Sequence, residues 1–191
     1  TVQLNASGTG TITPVLVDNG SNDACGIASL SLDNDTFGCQ DVAAPGPGPS
    51  DLFISEYIEG SGNNKCLEIY NGTGAAIDLS AGNYAIRVYF NGATSFTNFP
   101  LTGIVNAGDV HVFCTSSSNS AMLAQADQTT TVGIWNGDDA IALAKGSQLL
   151  DIFGRIGEQP AGGGWSGGGN NTANRTLVRN ANIIAGITTN P

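Results

Sequence analysis

The chain has 191 residues and a formal net charge of −10, from 6 basic and 16 acidic residues. Such a surface repels phosphate backbones, so we expect no nucleic-acid binding by the chain alone, while divalent cations are attracted. No apolar run reaches the roughly 20 residues that span a bilayer, so we expect no membrane insertion. The 27 glycines and the low charged fraction of 12% favour many short strands joined by tight turns.

Residues 1–42 carry the pattern of a few short strands. Alternation at 10–14 is followed by spaced apolar residues, which are Ile27, Leu30, Leu32 and Phe37. The wording ASGTGTITP, VDNGSNDACGIASLSLD and the following F-x-C-x-DV resembles the hyalin-repeat (HYR) type of β-sandwich repeat, which is common in long secreted bacterial proteins. That resemblance implies further strands after the second cysteine, whereas this chain passes directly into a linker.

The resemblance therefore implies that the first segment is an incomplete sandwich. About 42 residues are too few for an independent one, and strands with open edges leave backbone donors and acceptors unpaired. Three explanations stay open: the segment packs on the main domain, it is partly disordered, or strands from another chain complete it. The last would make the molecule self-associating. The expected partners are then other copies of this chain or neighbouring domains of a larger secreted protein.

An oxygen-rich loop lies within the first segment. Asp18 and Asp23 flank Asn19 and Ser21, and oxygen ligands of this kind suit Ca²⁺. Asp18 and Asp23 are thus candidate calcium ligands. The alternative is that these side chains form Asx turns with their own backbone.

Residues 43–50, with the sequence AAPGPGPS, predict a linker. Three prolines alternating with glycine form neither helix nor central strand, and give a semi-extended spacer. We therefore divide the chain into a partial β segment at 1–42, the linker at 43–50 and a main domain at 51–191.

The main domain opens on LFISEYIEGSGNNKCLEIYNGTG at 52–74. Two β-rich runs separated by Gly-Ser-Gly predict two strands joined by a polar loop. Carboxylates and amides gather near that corner, and these candidate calcium ligands are Glu56, Glu59, Asn63, Asn64 and Glu68. The alternative is structural, with the two asparagines shaping the turn and Lys65 pairing with a glutamate. Since no supporting constellation accompanies them, we expect no paired-carboxylate hydrolase here.

Further strands follow with turn signals between them. We predict them at 84–90, 98–101, 103–105, 109–114, 134–135, 140–144, 149–153 and 176–178, with one or two helical turns at 121–126. Asp138 and Asp139 follow Asn-Gly, which predicts an exposed hairpin turn with solvated charges. The single histidine, His111, lies within a strand, and we expect it to be a packed or solvated residue rather than a catalytic base.

Four segments of the main domain resemble bacterial lamin-tail-like domains. They are the opening ISEYIEGSGNNKCLEIYN, then WNGDDAIAL, DIFGRIG and NRTLVR, and together they extend over about 52–180. The resemblance implies an immunoglobulin-like β-sandwich of the kind found as an accessory module in secreted proteins. With the first segment, the fold class is all-β, an immunoglobulin-like β-sandwich with a short additional β segment at the N-terminus.

The four cysteines fall as Cys25 and Cys39, then Cys66 and Cys114. Four cysteines allow three pairings, and pairing of nearest neighbours keeps each bridge within its own segment. Disulfides would imply an oxidising, extracytoplasmic setting, so we expect a secreted or cell-surface protein. Buried free thiols are the alternative.

No catalytic residues are predicted, and the expected function is a non-catalytic structural or adhesive module of a secreted or cell-surface assembly, with calcium as its one expected ion. Self-association by strand completion between subunits is a specific hypothesis. The alternatives are an accessory domain of a secreted enzyme, such as an extracellular nuclease, or a carbohydrate-binding module. Trp165, in a glycine-rich loop, is the candidate ligand contact for that last alternative.

Overall fold

The structure, a computed structural model, describes residues 3–18, 20–21, 25, 27, 29–38, 48–167 and 169–191. The chain divides into two compact units, Thr1–Gly46 and Pro47–Pro191. Among the described residues, no helix combines the length and the apolar character that a membrane crossing requires.

The first unit contains little regular structure in its described part. Strand β1 (Thr9–Thr11) pairs antiparallel with β2 (Thr36–Gly38), and a single helical turn, α1 (Pro14–Val17), lies between them in the chain. An isolated two-stranded ladder is at best marginally stable in water. None of the described hydrophobic side chains of this unit is buried.

The second unit is built almost entirely of strands. In chain order they are β3 (Phe53–Glu59), β4 (Lys65–Tyr70), β5 (Ile77–Asp78), β6 (Tyr84–Tyr89), β7 (Thr97–Pro100), β8 (Ile104–Val105), β9 (Val110–Thr115), β10 (Gln128–Thr130), β11 (Ala140–Lys145), β12 (Gln148–Phe153), β13 (Ser166–Gly167), β14 (Asn170–Asn171) and β15 (Arg175–Val178). A 3-10 turn, Phe90–Gly92, follows β6, and the short helix α2 (Ser120–Leu123) follows β9.

Two sheets form the layers of a sandwich. The five-stranded sheet has the order β10-β9-β4-β3-β15, and its neighbours are antiparallel except for β10 and β9. The four-stranded sheet has the order β12-β11-β6-β7 and is antiparallel throughout. The two-stranded ladders β5-β8 and β13-β14 lie outside these layers.

The core lies between the two sheets because alternate side chains of each strand face inward. Tyr57, Leu67 and Phe113 come from the five-stranded sheet, and Ile86 and Ile141 come from the four-stranded sheet. All of these side chains are almost completely buried. The predicted all-β sandwich is therefore confirmed.

Trp135 completes the core without belonging to a strand. Its side chain is fully buried, and its ring centroid lies 6.2 Å from that of Tyr57. Tyr57 in turn stacks on Phe153 of β12 at 4.2 Å, which joins the two sheets through aromatic contact. The strand predicted at 134–135 is wrong, because this segment forms no ladder hydrogen bonds, although its tryptophan packs as a core residue.

The end of the predicted linker belongs to the second unit and packs on its Gly72 turn. A Cβ atom at Gly72 would lie only 2.5 Å from Cγ of Pro49 and 2.8 Å from Cε1 of Tyr70. Only glycine leaves room for this close approach. Residues 43–47 of the predicted linker lie outside the described residues.

Candidate functional site

The signature at 52–74 folds as the predicted strand–loop–strand corner. Strands β3 and β4 pair antiparallel, which places Glu56 opposite Glu68 and Glu59 opposite Lys65. Because side chains alternate along each strand, these two pairs lie on opposite faces of the sheet. The corner therefore does not gather its three glutamates into one cluster.

Glu59 faces the core side of the sheet, and both oxygens of its carboxylate have a bonding partner there. Only 5% of its surface is exposed. One carboxylate oxygen forms an ion pair with the Lys65 ammonium group, and the other accepts the backbone N–H of Asn174. The predicted alternative, in which Lys65 pairs with a glutamate, matches this arrangement.

The two asparagines of the loop bond to the segment that precedes α2. Asn63 offers its backbone carbonyl to the Ser118 hydroxyl at 3.1 Å. The side-chain oxygen of Asn64 accepts the backbone N–H of Asn119 at 2.9 Å. Asn63 and Asn64 thereby hold the start of α2 against the β3–β4 loop.

Glu56 and Glu68 form a like-charge pair on the outer face of the five-stranded sheet. Partial burial and the neighbouring Glu68 carboxylate raise the pKa of Glu56 above its ordinary value. One oxygen of Glu68 accepts the Ser55 hydroxyl at 2.7 Å. Directly opposed like charges destabilise a sheet, by up to about 1 kcal/mol. The pair is thus a site of unneutralised negative charge.

The calcium ligands predicted in the first unit are only partly described. The carboxylate of Asp18 accepts the backbone N–H of Ser21 at 3.0 Å, which is an Asx-type turn, and hydrogen bonds from Ser21 hold its pKa below the ordinary value. Asp23 lies outside the described residues. Within the described part of the chain, no group of three or more His, Cys, Asp or Glu side chains is arranged to hold a metal ion. Calcium binding stays a prediction.

A disulfide joins Cys66 of β4 to Cys114 of β9. The two cysteines are directly opposite in neighbouring strands and are buried beneath the outer face. This bond is one of the two predicted. The second predicted bond involves Cys39, which lies outside the described residues, while Cys25 lies on the surface.

A concave region lies between the outer face and the segment that carries α2. This outer groove has a volume of about 560 Å³, and it is lined chiefly by Glu56, Ile58, Glu68, Val110, Val112 and Met122. Its floor is apolar, since Ile58 and both valines project from the sheet. Asp109 and Asp127 also contribute to its lining, so four carboxylates surround the apolar floor.

His111 and Asp139 are buried. Burial lowers the pKa of His111, which matches the predicted packed residue. The prediction of solvated charges at 138–139 is wrong for Asp139, of which only 3% is exposed. Its carboxylate accepts the backbone N–H groups of Asn91 and Asn136, and burial raises its pKa. The Asp139 carboxylate thus connects the turn at Asn91 with the turn at Asn136. The sequence around Asp139 does not indicate this connection.

Trp165, the candidate ligand contact, is half-buried between two cavities of about 540 and 260 Å³. Its indole N–H donates to the backbone carbonyl of Asp139 at 3.4 Å. A Cβ atom at Gly154 would lie 2.7 Å from that indole nitrogen, so the ring packs directly on the backbone there. The nitrogen side of the Trp165 ring therefore packs on the protein backbone. Carbohydrate binding by Trp165 stays a prediction.

Sequence patterns did not predict the hydrogen-bonded cluster around Asp151, which connects the two sheets. Asp151 of β12 is fully buried, and its carboxylate bonds to the Arg179 guanidinium at 2.6 Å and to the backbone N–H of Ile54 at 2.9 Å. Its other oxygen accepts the backbone N–H of Ile187 at 2.8 Å. A buried carboxylate needs such a set of partners. Its only sequence signal is a charged residue within an apolar strand.

Most of the second unit matches a known protein family. The profile of the Lamin Tail Domain family matches residues 45–157, more than half of the chain. No curated protein and no solved structure gives a significant match. The match agrees with the immunoglobulin-like β-sandwich described above. The chain belongs to the lamin tail domain family.

Proposed function

We propose that the chain is a non-catalytic structural or adhesive module of a secreted or cell-surface assembly, and that it self-associates through its first unit. The lamin tail domain is a non-enzymatic immunoglobulin-like module, which supports the non-catalytic part. The Cys66–Cys114 disulfide supports an oxidising, extracytoplasmic setting, because such bonds persist there.

The observation that carries self-association is the unburied apolar surface of the first unit. Val15, Leu16 and Val17 are exposed by 79%, 71% and 55%, and Ile27 and Leu30 by more than 40%. Contiguous exposed apolar residues mark interaction surfaces.

The shortness of the β1–β2 ladder is the second part of the argument. In the described residues of the first unit, β1 pairs only with β2, through three residues each. A two-stranded ladder of this length is at best marginally stable alone, so it gains stability when further strands pair with it. We propose that strands from a second copy of this chain pair there and cover the apolar side chains.

Limited proteolysis with chymotrypsin tests this assembly. Cleavage after Leu16 and Phe37 should slow by at least about tenfold when the protein concentration rises enough to form oligomers. The reason is that the protease cuts only the dissociated chain, whose first unit is uncovered. Mass spectrometry of the fragments measures each site separately. Trypsin would be uninformative, since the first lysine or arginine of the chain is Lys65.

Cleavage after Phe96 provides the internal control. This residue is 46% exposed and belongs to the second unit, so its cleavage rate should not depend on concentration. A first unit that resists chymotrypsin in a sample that light scattering shows to be monomeric would be compact by itself, and the proposal would then fail. Equal cleavage at every concentration would contradict it as well.

A further inference from the structure

We infer that the outer groove binds a basic, apolar peptide segment of a partner protein, with a Lys or Arg cation between Glu56 and Glu68. This inference concerns the second unit and does not depend on self-association of the first. Its basis is the combination of a concave apolar floor with charge that the chain itself does not neutralise.

The chain supplies no cation to the groove. The sequence contains 6 lysines and arginines, and every one of them lies outside the groove lining. Lys65, Lys145, Arg155 and Arg179 form ion pairs with other carboxylates. Arg87 donates to a carbonyl and lies over the Phe96 ring, and Arg175 donates to a carbonyl. Positive charge in the groove must therefore come from another molecule.

The four carboxylates differ in how far they are already engaged. Asp109 accepts the backbone N–H of Val110, and Asp127 accepts that of Val112. Glu68 accepts one hydroxyl, whereas Glu56 takes part in no ion pair among the described residues. The two glutamates are opposite each other across β3 and β4, so one cation between them relieves their repulsion.

The apolar floor of the outer groove favours an amphipathic ligand over a bare ion. Ile58, Val112 and Met122 line the groove beside the glutamates. Lys and Arg side chains lay their methylene stems on apolar surface while the charged group stays at a polar edge. A volume of about 560 Å³ holds such a side chain together with an apolar neighbour. A peptide segment meets both requirements, whereas a hydrated divalent cation uses only the carboxylates.

Fluorescence anisotropy with three labelled peptides tests the ligand class. The full chain should bind Gly-Leu-Arg-Leu-Gly, with no measurable binding of Gly-Leu-Glu-Leu-Gly. Binding of Gly-Ser-Arg-Ser-Gly should be weaker by about fivefold or more, because its serines leave the apolar floor uncovered. Spermidine or CaCl₂ that displaces the first peptide at an equal concentration would overturn the assignment to a peptide.

Paired variants test the location. Glu56→Gln/Glu68→Gln keeps the side-chain shape and should weaken binding of Gly-Leu-Arg-Leu-Gly by about tenfold or more. Asp33→Asn/Glu158→Gln removes the same charge from exposed positions outside the groove and should change binding by less than about twofold. Equal losses in both variants would show only attraction to the net negative charge and would overturn the inference. Unchanged tryptophan emission in both variants verifies the fold.

Discussion

Replacing Asp151 with alanine is expected to lower the free energy of unfolding of the second unit by about 3–5 kcal/mol. The substitution leaves the Arg179 guanidinium without its carboxylate, and it leaves the N–H groups of Ile54 and Ile187 without their acceptor. Because Asp151 belongs to β12 and Ile54 to β3, one side chain joins the two sheets. Urea unfolding followed by tryptophan fluorescence measures the loss, since both tryptophans belong to this unit.

An exposed ion pair in the same unit provides the control. The side chains of Arg155 and Glu158 are 52% and 57% exposed, and their charged groups lie 3.4 Å apart. Glu158→Ala should therefore cost less than about 1 kcal/mol. A loss for Asp151→Ala no larger than that of Glu158→Ala would mean that the buried carboxylate does not hold the sheets together.

Removing the disulfide is expected to have the second large effect. The double variant Cys66→Ala/Cys114→Ala should lose about 2–5 kcal/mol of unfolding free energy, because the bond closes a loop across 48 residues and limits the unfolded chain. The same tryptophan-monitored urea unfolding measures it. The alanines also leave the space of two buried sulfur atoms empty, which adds to the loss.

A reducing agent distinguishes the stability lost with the disulfide bond from the stability lost with the packing of the two sulfur atoms. The natural chain should lose stability when a reductant is added, while the double variant should unfold at the same urea concentration with and without it. The other predicted pair, Cys25 and Cys39, belongs to the first unit, whereas both tryptophans that report unfolding belong to the second. A natural chain whose unfolding is insensitive to full reduction, verified by thiol titration, would contradict the expectation.

The sequence predicted the sandwich because its local signals agree with each other. The β-rich runs at 52–58 and 67–70, separated by Gly-Ser-Gly, place β3 and β4 correctly, and the Asn91–Gly92 turn has the positive φ angles that this pair favours. The helix-forming residues at 121–126 predict α2, which begins at Ser120, ends at Leu123 and is capped by Asn119.

The interior of the candidate site was not predictable in the same way. The partners of Asp151 are at Ile54, Arg179 and Ile187, so the group exists only once distant strands are brought together. The neighbouring residues predict an exposed turn at Asp139, yet its carboxylate accepts the N–H of Asn91, which is 48 residues away. Local patterns carry no information on such contacts.

The candidate calcium corner illustrates a different limit. Sequence proximity grouped Glu56, Glu59 and Glu68, but strand alternation divides them between two faces. Glu59 became a buried ion-pair partner, while Glu56 and Glu68 border the outer groove. Glu56 and Glu59 are three residues apart in a regular stretch of the β3–β4 ladder, so they face opposite sides of the sheet.

The molecular mass of the purified full chain in solution tests the central claim most directly. Light scattering with and without EDTA should give oligomers well above 19.4 kDa for the natural chain. Val15→Ser/Leu16→Ser should be monomeric, whereas the control Ile104→Ser/Val132→Ser, also at exposed apolar positions, should assemble like the natural chain. Loss of oligomers in EDTA would place a divalent cation in the contact. A natural chain that stays a 19.4 kDa monomer in both conditions would contradict the self-associating module proposed for it.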